Sequence, residues 1–215
     1  AQAKVAAAGD GAIQLGLANL VSPEVAGNGQ RFRLGDLEVV VYLTPTVGLI
    51  DLNRAPRELL GNLFSAIDIP RGEAEILADN VIQWRSPSLA GPGHRIDSIE
   101  ALLEIDGFDR VRIDALRDLV SSGLSGAGFF SPKHAPEAVR KIVGMQEGGA
   151  PRRPDEPGRG GRAAPPRADA YRVDAVIEFG GRRWLRRRWV RMGSATHSEL
   201  PWRFTRTEAP RVLRQ

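Results

Sequence analysis

Three histidines, His94, His134 and His197, are scattered along the chain, and no two stand at i, i+4. No helix would therefore present a pair of them to one metal ion, and a three-histidine site is not expected. Gly123-Leu124-Ser125-Gly126-Ala127 falls short of a nucleophile elbow, because Ala127 stands where the second glycine is needed. A strand-to-helix context is missing as well. There are 26 aspartates and glutamates, but spacing alone forces no pair of them into one pocket. The absence of cysteine removes thiolate chemistry and any disulfide framework. No catalytic constellation emerges, so neither an enzyme nor a small-molecule substrate is expected.

The densest basic run is Arg182, Arg183, Arg186, Arg187, Arg188 and Arg191, with Trp184 and Trp189 interleaved. Such a run can be a patch for nucleic acid or an acidic partner. It can also be a strand whose arginine stems cover apolar surface and whose charges meet acids elsewhere. The second reading is favoured, because Asp174 and Glu178 on a paired strand can oppose the arginines. The formal net charge of +4 over 215 residues is mild and points to no nucleic acid. The chain is 42% hydrophobic, enough for a core. It contains no run of 18 apolar residues, the length a membrane span would need.

The elements that must position these residues follow from periodicity. Residues 1 to 20 are Ala-rich, with Val5, Ile13, Leu17 and Leu20 roughly on one helical face, and Ser22-Pro23 ends that helix. Gly27-Asn28-Gly29 is a turn. Phe32 to Leu43 alternates as a strand, with Gly35-Asp36 turning between two short halves. From Asn53 to about Val120 the period changes to that of helices. Asn53 is expected to cap the first, with Pro56 in its opening turn. Leu60, Leu63, Phe64 and Ile67 share one face, and Leu77, Val81 and Trp84 form the stripe of the next helix. After Ile96 the design repeats, ending with Ile113, Leu116 and Val120 before Ser121-Ser122-Gly123. Gly123 to Gly128 reads as a loop and Pro136 to Val143 as a short helix. Residues 144–170 are rich in Pro, Gly and Arg without apolar period, and read as a flexible loop. Tyr171 to Phe179 and Arg183 to Met192 are strands joined at Gly180-Gly181. The tail from Ser194, with Pro201 and Pro210, is expected to fray or to lie on the surface.

This pattern resembles the type II secretion system minor pseudopilins of the general secretion protein K family. The residues that carry the likeness are Gly48-Leu49-Ile50-Asp51-Leu52-Asn53-Arg54-Ala55-Pro56 with Leu59-Leu60, and Val81-Ile82-Gln83-Trp84-Arg85. Asp97-Ser98-Ile99-Glu100-Ala101-Leu102-Leu103 and the closing basic strand are similar too. The resemblance implies an α+β fold in which a pilin-like N-terminal helix packs on a small antiparallel sheet, with an all-helical, helix-hairpin-helix-like subdomain inserted. It implies a periplasmic part at the tip of a short filament, with other minor pseudopilins as partners. It also implies an inner-membrane anchor through a helix segment upstream of this chain, which opens inside a helical pattern. Family members follow the Trp-Arg pair with an acidic loop that implies calcium. Here Ser86-Pro87-Ser88-Leu89-Ala90-Gly91-Pro92-Gly93 is uncharged, so no cofactor is assigned, and calcium stays open on the resemblance alone.

The expected layout is a helix and first strands in 1–45, the helical subdomain in 46–143, the loop in 144–170, and a β-hairpin in 171–215 that completes the sheet. Val5, Ala12, Ile13, Gly16 and Leu17 are the expected association surface. The alternative is a nucleic-acid binder, because the tandem units also resemble helix-hairpin-helix DNA-binding repeats of the competence type. Such repeats use a Gly-apolar-Gly turn. The turns here, Ile67-Asp68-Ile69-Pro70-Arg71-Gly72 and Ile105-Asp106-Gly107-Phe108-Asp109, lack the double glycine and carry acids that repel phosphate. Since nothing in 144–170 can bury apolar surface, a Gly/Ser linker of similar reach in its place should leave the thermal midpoint nearly unchanged. A large drop would show that the segment packs on the body.

Overall fold

A computed structural model of the chain describes residues 1–21, 29–87, 91–122, 130–144, 168–193 and 200–213. In chain order the elements are α1 (Gln2–Val21), β1 (Gln30–Leu34), β2 (Leu37–Pro45), β3 (Ile50–Asp51), α2 (Arg57–Ser65), α3 (Arg71–Arg85), α4 (Arg110–Leu116), β4 (Val120–Ser121), α5 (Glu137–Gly144), β5 (Ala170–Phe179), β6 (Arg182–Met192), β7 (Trp202–Thr207) and β8 (Arg211–Val212). Short 3₁₀ turns occupy Thr46–Gly48, Ile99–Glu104 and Pro132–His134. The chain divides into two compact units, one from Ala1–Pro45 with Ala168–Gln215, the other from Thr46–Arg167. The turn at Ser22-Pro23 and Gly27-Asn28, the Gly123–Gly128 loop with its Ser125, His197 and nearly all of the 144–170 loop lie outside the described residues.

The first unit is a helix on an antiparallel sheet. Strand order is β1-β2-β5-β6-β7, with β8 also pairing β6. Alternation along β2 turns Leu37, Val39 and Val41 inward and leaves Glu38 and Tyr42 exposed, as period-2 side chains must. Val173, Ala175 and Ile177 of β5 and Val190 of β6 complete the apolar layer, which α1 covers with Val5, Ile13 and Leu17. Gly180 and Gly181 join β5 to β6 with φ of 60° and 69°. Both central residues of a two-residue hairpin must adopt that sign, and glycine does so without strain.

The tail is a correction. Its described residues do not fray: Trp202–Thr207 pairs with one end of β6 and Arg211–Val212 with the other. The ladder shifts register between Trp189 and Val190. Pro201 and Pro210 fall outside the strands, where no ladder N–H is required of them. Trp202 orders the segment, since it is buried and its indole N–H donates to Gln14 Oε1 at 3.1 Å.

Among its described residues the second unit is helical, with one small exception. Leu59, Leu60, Leu63 and Phe64 of α2 pack inward, as do Leu77 and Val81 of α3. Phe64 meets Phe108 edge to face, with centroids 5.3 Å apart. Ile113 and Leu116 of α4 are buried. The exception is a parallel pair, Ile50↔Val120 and Asp51↔Ser121, which periodicity over two residues could not announce. The stretch after Ile96 is also not a second α-helix but the 3₁₀ segment Ile99–Glu104, followed by α4.

Asn53 is another correction. Helix α2 starts at Arg57 with Pro56 at its N-cap, so Asn53 is too far upstream to cap it. Instead its amide pairs with the backbone of Ile96, accepting from the N–H at 2.8 Å and donating to the carbonyl at 2.8 Å. Arg85 works on the same turn, donating to the carbonyls of Leu52 and Ala55. Burial pushes the Arg85 guanidinium below its ordinary pKa, with Asp51 acting against that. The two sequence motifs thus meet in space through backbone groups that would otherwise lack partners. Replacing Asn53 by alanine strands both Ile96 groups and should cost about 1–3 kcal/mol of stability in urea unfolding. A change within 0.5 kcal/mol, the range of about neutral surface substitutions, would contradict this assignment.

Candidate association surface

Helix α1 has two faces, set by where its small and large residues fall. Val5, Ala8, Gly9, Ala12, Ile13, Gly16 and Leu17 are buried, while Ala3, Ala7, Leu15 and Ala18 are exposed. At 100° per residue these sets lie on opposite sides. The buried side sits very close to the sheet. A Cβ built on Gly9 would come within 2.6 Å of Arg186 Cβ, and one on Gly16 within 2.9 Å of Val41 Cγ1. Glycine at these positions lets the helix approach its own sheet, since interaxial and interlayer spacing follow side-chain bulk.

This corrects the expected association surface. Val5, Ala12, Ile13 and Leu17 are fully buried in the unit's own core, and Gly16 lies against Val41. None of the five is available to a partner. What remains outward is the stripe Ala3, Ala7, Ala18, with the half-buried Gly11 between and Leu15, 44% exposed, beside it. An apolar leucine next to small residues is a surface another helix can approach closely. Sequence reasoning placed the expected residues on the side of the helix that its own sheet covers. The signal that separates the sides is the position of the large aliphatics Val5, Ile13 and Leu17.

The helix is also pinned electrostatically. Asp10 accepts from Arg186 through both oxygens, Nε and Nη2 each at 2.9 Å, and Arg188 Nη1 lies 3.5 Å away. Burial pushes the Arg188 guanidinium down, Asp10 raises it, and Arg186 pushes it down again. Arg188 also lies over the Phe204 ring, 3.5 Å from its centroid. Arg187 pairs with Asp174 inside the protein, at 2.6 and 3.0 Å, and Arg172 reaches the same carboxylate at 2.9 Å. The central arginines of the basic run are therefore engaged within the unit, and Asp174 does oppose one of them.

The turns of the tandem helical units carry acids. Asp68 stands at φ 64° in the first turn. Asp109 caps α4 by accepting from Arg112 N at 2.8 Å, so its carboxylate holds the donor that a phosphate would need. The loop after α3 offers no carboxylate between Ser86 and Gly93, a donor set that does not suit calcium. Among the described residues no three acidic or histidine side chains converge as metal ligands. His134 Nδ1 lies 2.9 Å from Ser131 Oγ, but the two are i, i+3 neighbours in one 3₁₀ turn. His94 stacks on Trp84, with centroids 4.6 Å apart.

No protein-family model matches the chain, and no curated protein matches it in sequence. Among solved structures it is similar to a chain in the crystal structure of the GspK-GspI-GspJ complex from the enterotoxigenic Escherichia coli type 2 secretion system. The match covers 99% of this chain and 95% of that chain, with a TM-score of 0.56 and 12% identity. The fold is pilin-like. It is an α+β arrangement of an N-terminal helix on an antiparallel sheet, with a helical unit inserted between β2 and β5. Among the described residues no helix is long and apolar enough to cross a membrane.

The two faces of α1 predict opposite outcomes for similar changes. Gly16→Val forces a methyl-bearing carbon into Val41 and should cost about 1–3 kcal/mol, the usual penalty of overpacking. Ala7→Glu on the outward face should stay within about 0.5 kcal/mol. Urea unfolding of both variants checks the assignment, and reversed values would exchange the faces.

Proposed function

We propose that this chain is the globular part of a minor pseudopilin of the type II secretion system. Its role is structural, and no chemistry is assigned to it. It stands at the tip of the periplasmic pseudopilus and supports export of folded proteins across the outer membrane. Its partners are other minor pseudopilins, met through the outward stripe of α1. An apolar helix segment upstream of that stripe would anchor it in the inner membrane. The observation that carries this reading is the stripe of Ala3, Ala7 and Ala18 beside exposed Leu15, on a helix whose other face is consumed by a pilin-like sheet. The likeness in fold to a member of a three-pseudopilin complex supports it. Nucleic-acid binding is not favoured, because Asp68, Asp106 and Asp109 surround the turns that would have to hold phosphate.

The test mixes the purified protein with the other pilin-like subunits of its own secretion system and follows complex formation by size-exclusion chromatography. Ala7→Glu and Leu15→Glu should each weaken assembly about tenfold or more, since a buried unpaired charge costs more than 1.4 kcal/mol. Their unfolding curves should match the parent. A complex that forms as well with both variants would remove α1 as the contact, and no complex at all would remove the reading.

A further inference from the structure

The inserted unit carries a groove of about 750 Å³ between the second half of α3, the loop that follows it and the turn after Glu104. One wall is aromatic. Trp84 and His94 stack at a tilt of 31°, and the His94 N–H donates to the Trp84 carbonyl at 2.9 Å, which fixes the pair. The other wall is acidic. Glu104, Ile105 and Asp106 line it, Ile105 buried and both acids exposed. Asn80 Nδ2 holds this turn against α3 by donating to the Asp106 carbonyl at 3.0 Å. Neither the Glu104 nor the Asp106 carboxylate takes part in an ion pair or side-chain hydrogen bond among the described residues. The cation on the rim, Arg95, is paired with Asp97 at 3.0 Å.

We propose that this groove binds an arginine side chain of a partner protein, its guanidinium lying against the Trp84–His94 pair and donating to Glu104 and Asp106. Three features select that chemistry. Two carboxylates, unpaired among the described residues, set the sign of the ligand. Their separation by one residue suits a planar fork that donates in two directions, which an ammonium point charge does not match. An aromatic face alongside favours a flat, weakly hydrated cation. The Gln83 amide lines the same groove and can accept a further N–H. This binding is independent of what α1 assembles with, so the insert adds a second and chemically different contact.

The experiment titrates the full chain with the peptide acetyl-Gly-Ala-Arg-Ala-Gly-amide and follows the tryptophan indole N–H resonances by NMR. One indole, assigned to Trp84 by its loss in Trp84→Phe, should shift saturably. The same peptide with citrulline in place of arginine should bind about tenfold more weakly or worse, since it keeps the shape and loses the charge. The Glu104→Gln/Asp106→Asn protein should weaken the arginine peptide by a similar factor at an unchanged thermal midpoint. His94→Ala, a lone exposed change, should weaken it also and serves if the double variant does not fold. Equal binding of the citrulline peptide, binding unaffected by the variants, or no saturable shift at millimolar peptide would each overturn the proposal.

Discussion

The pairing of β2 with β5 is the constraint on which the rest of the chain depends. Val39↔Ile177 through Pro45↔Tyr171 joins strands that lie far apart in sequence and makes β5 the strand between β2 and β6. Everything from Thr46 to Arg167 must then leave the sheet and return to its neighbouring strand. Closing so long a loop is cheap per added residue, about 0.6 kcal/mol for each doubling of length. A whole helical unit can therefore sit in that position, provided that it folds around its own core. Leu60, Leu63, Phe64, Leu77, Val81, Leu102, Ile113 and Leu116 supply that core. The inner face of the sheet is covered by α1.

Covering that face is a matter of distance as much as of apolarity. Gly9 and Gly16 lower the helix until it touches Arg186 and Val41, and Asp10 then reaches two arginines of β6. With Asp10 about one-third exposed, solvent weakens the Coulomb attraction, and such a pair contributes about 1 kcal/mol at most. Its larger effect is on register. A bidentate carboxylate–guanidinium contact has one good geometry, so it fixes how α1 is rotated over the sheet. Trp202 donating to Gln14 fixes the same rotation from β7. A helix held at several points along its length by its own unit presents a defined outward face.

Much of this was legible in the sequence, and the misses have physical causes. Alternation in Leu37, Val39, Val41 and the Gly180-Gly181 turn gave the strands, since period 2 and left-handed glycine have few other uses. The helical block was legible for the same reason with period 3.6. Asn53 misled because its type suits a cap, yet an asparagine amide also matches a peptide group and can pair with a distant backbone. Only tertiary structure says that Ile96 is there. The tail misled because two prolines were weighed above the buried Trp202. The acid that meets Arg186 was missed since it comes from α1, about 176 positions away, rather than from the paired strand. The Trp84–His94 groove joins residues that no spacing rule connects.

The misassigned helix face holds a more general point. In an Ala-rich helix small residues occur all round, so a stripe of them does not say which side it is on. Here both sides have one: Ala8, Gly9, Ala12 and Gly16 inward, Ala3, Ala7, Gly11 and Ala18 outward. The inner set is small because a sheet lies against it, and each added methyl would meet an atom already in place. In the outer set a Cβ on Gly11 would lie 3.4 Å from Leu34 Cδ1, an ordinary contact, while Ala3, Ala7 and Ala18 are exposed. Leu15, exposed among small residues, is then the informative side chain. An isolated exposed leucine is ordinary on a protein surface. One at the edge of a flat, small-residue strip, on a helix whose rotation is fixed by Asp10 and Gln14, forms a knob beside a shallow track. The glycines beneath α1 thus decide which of its side chains face outward.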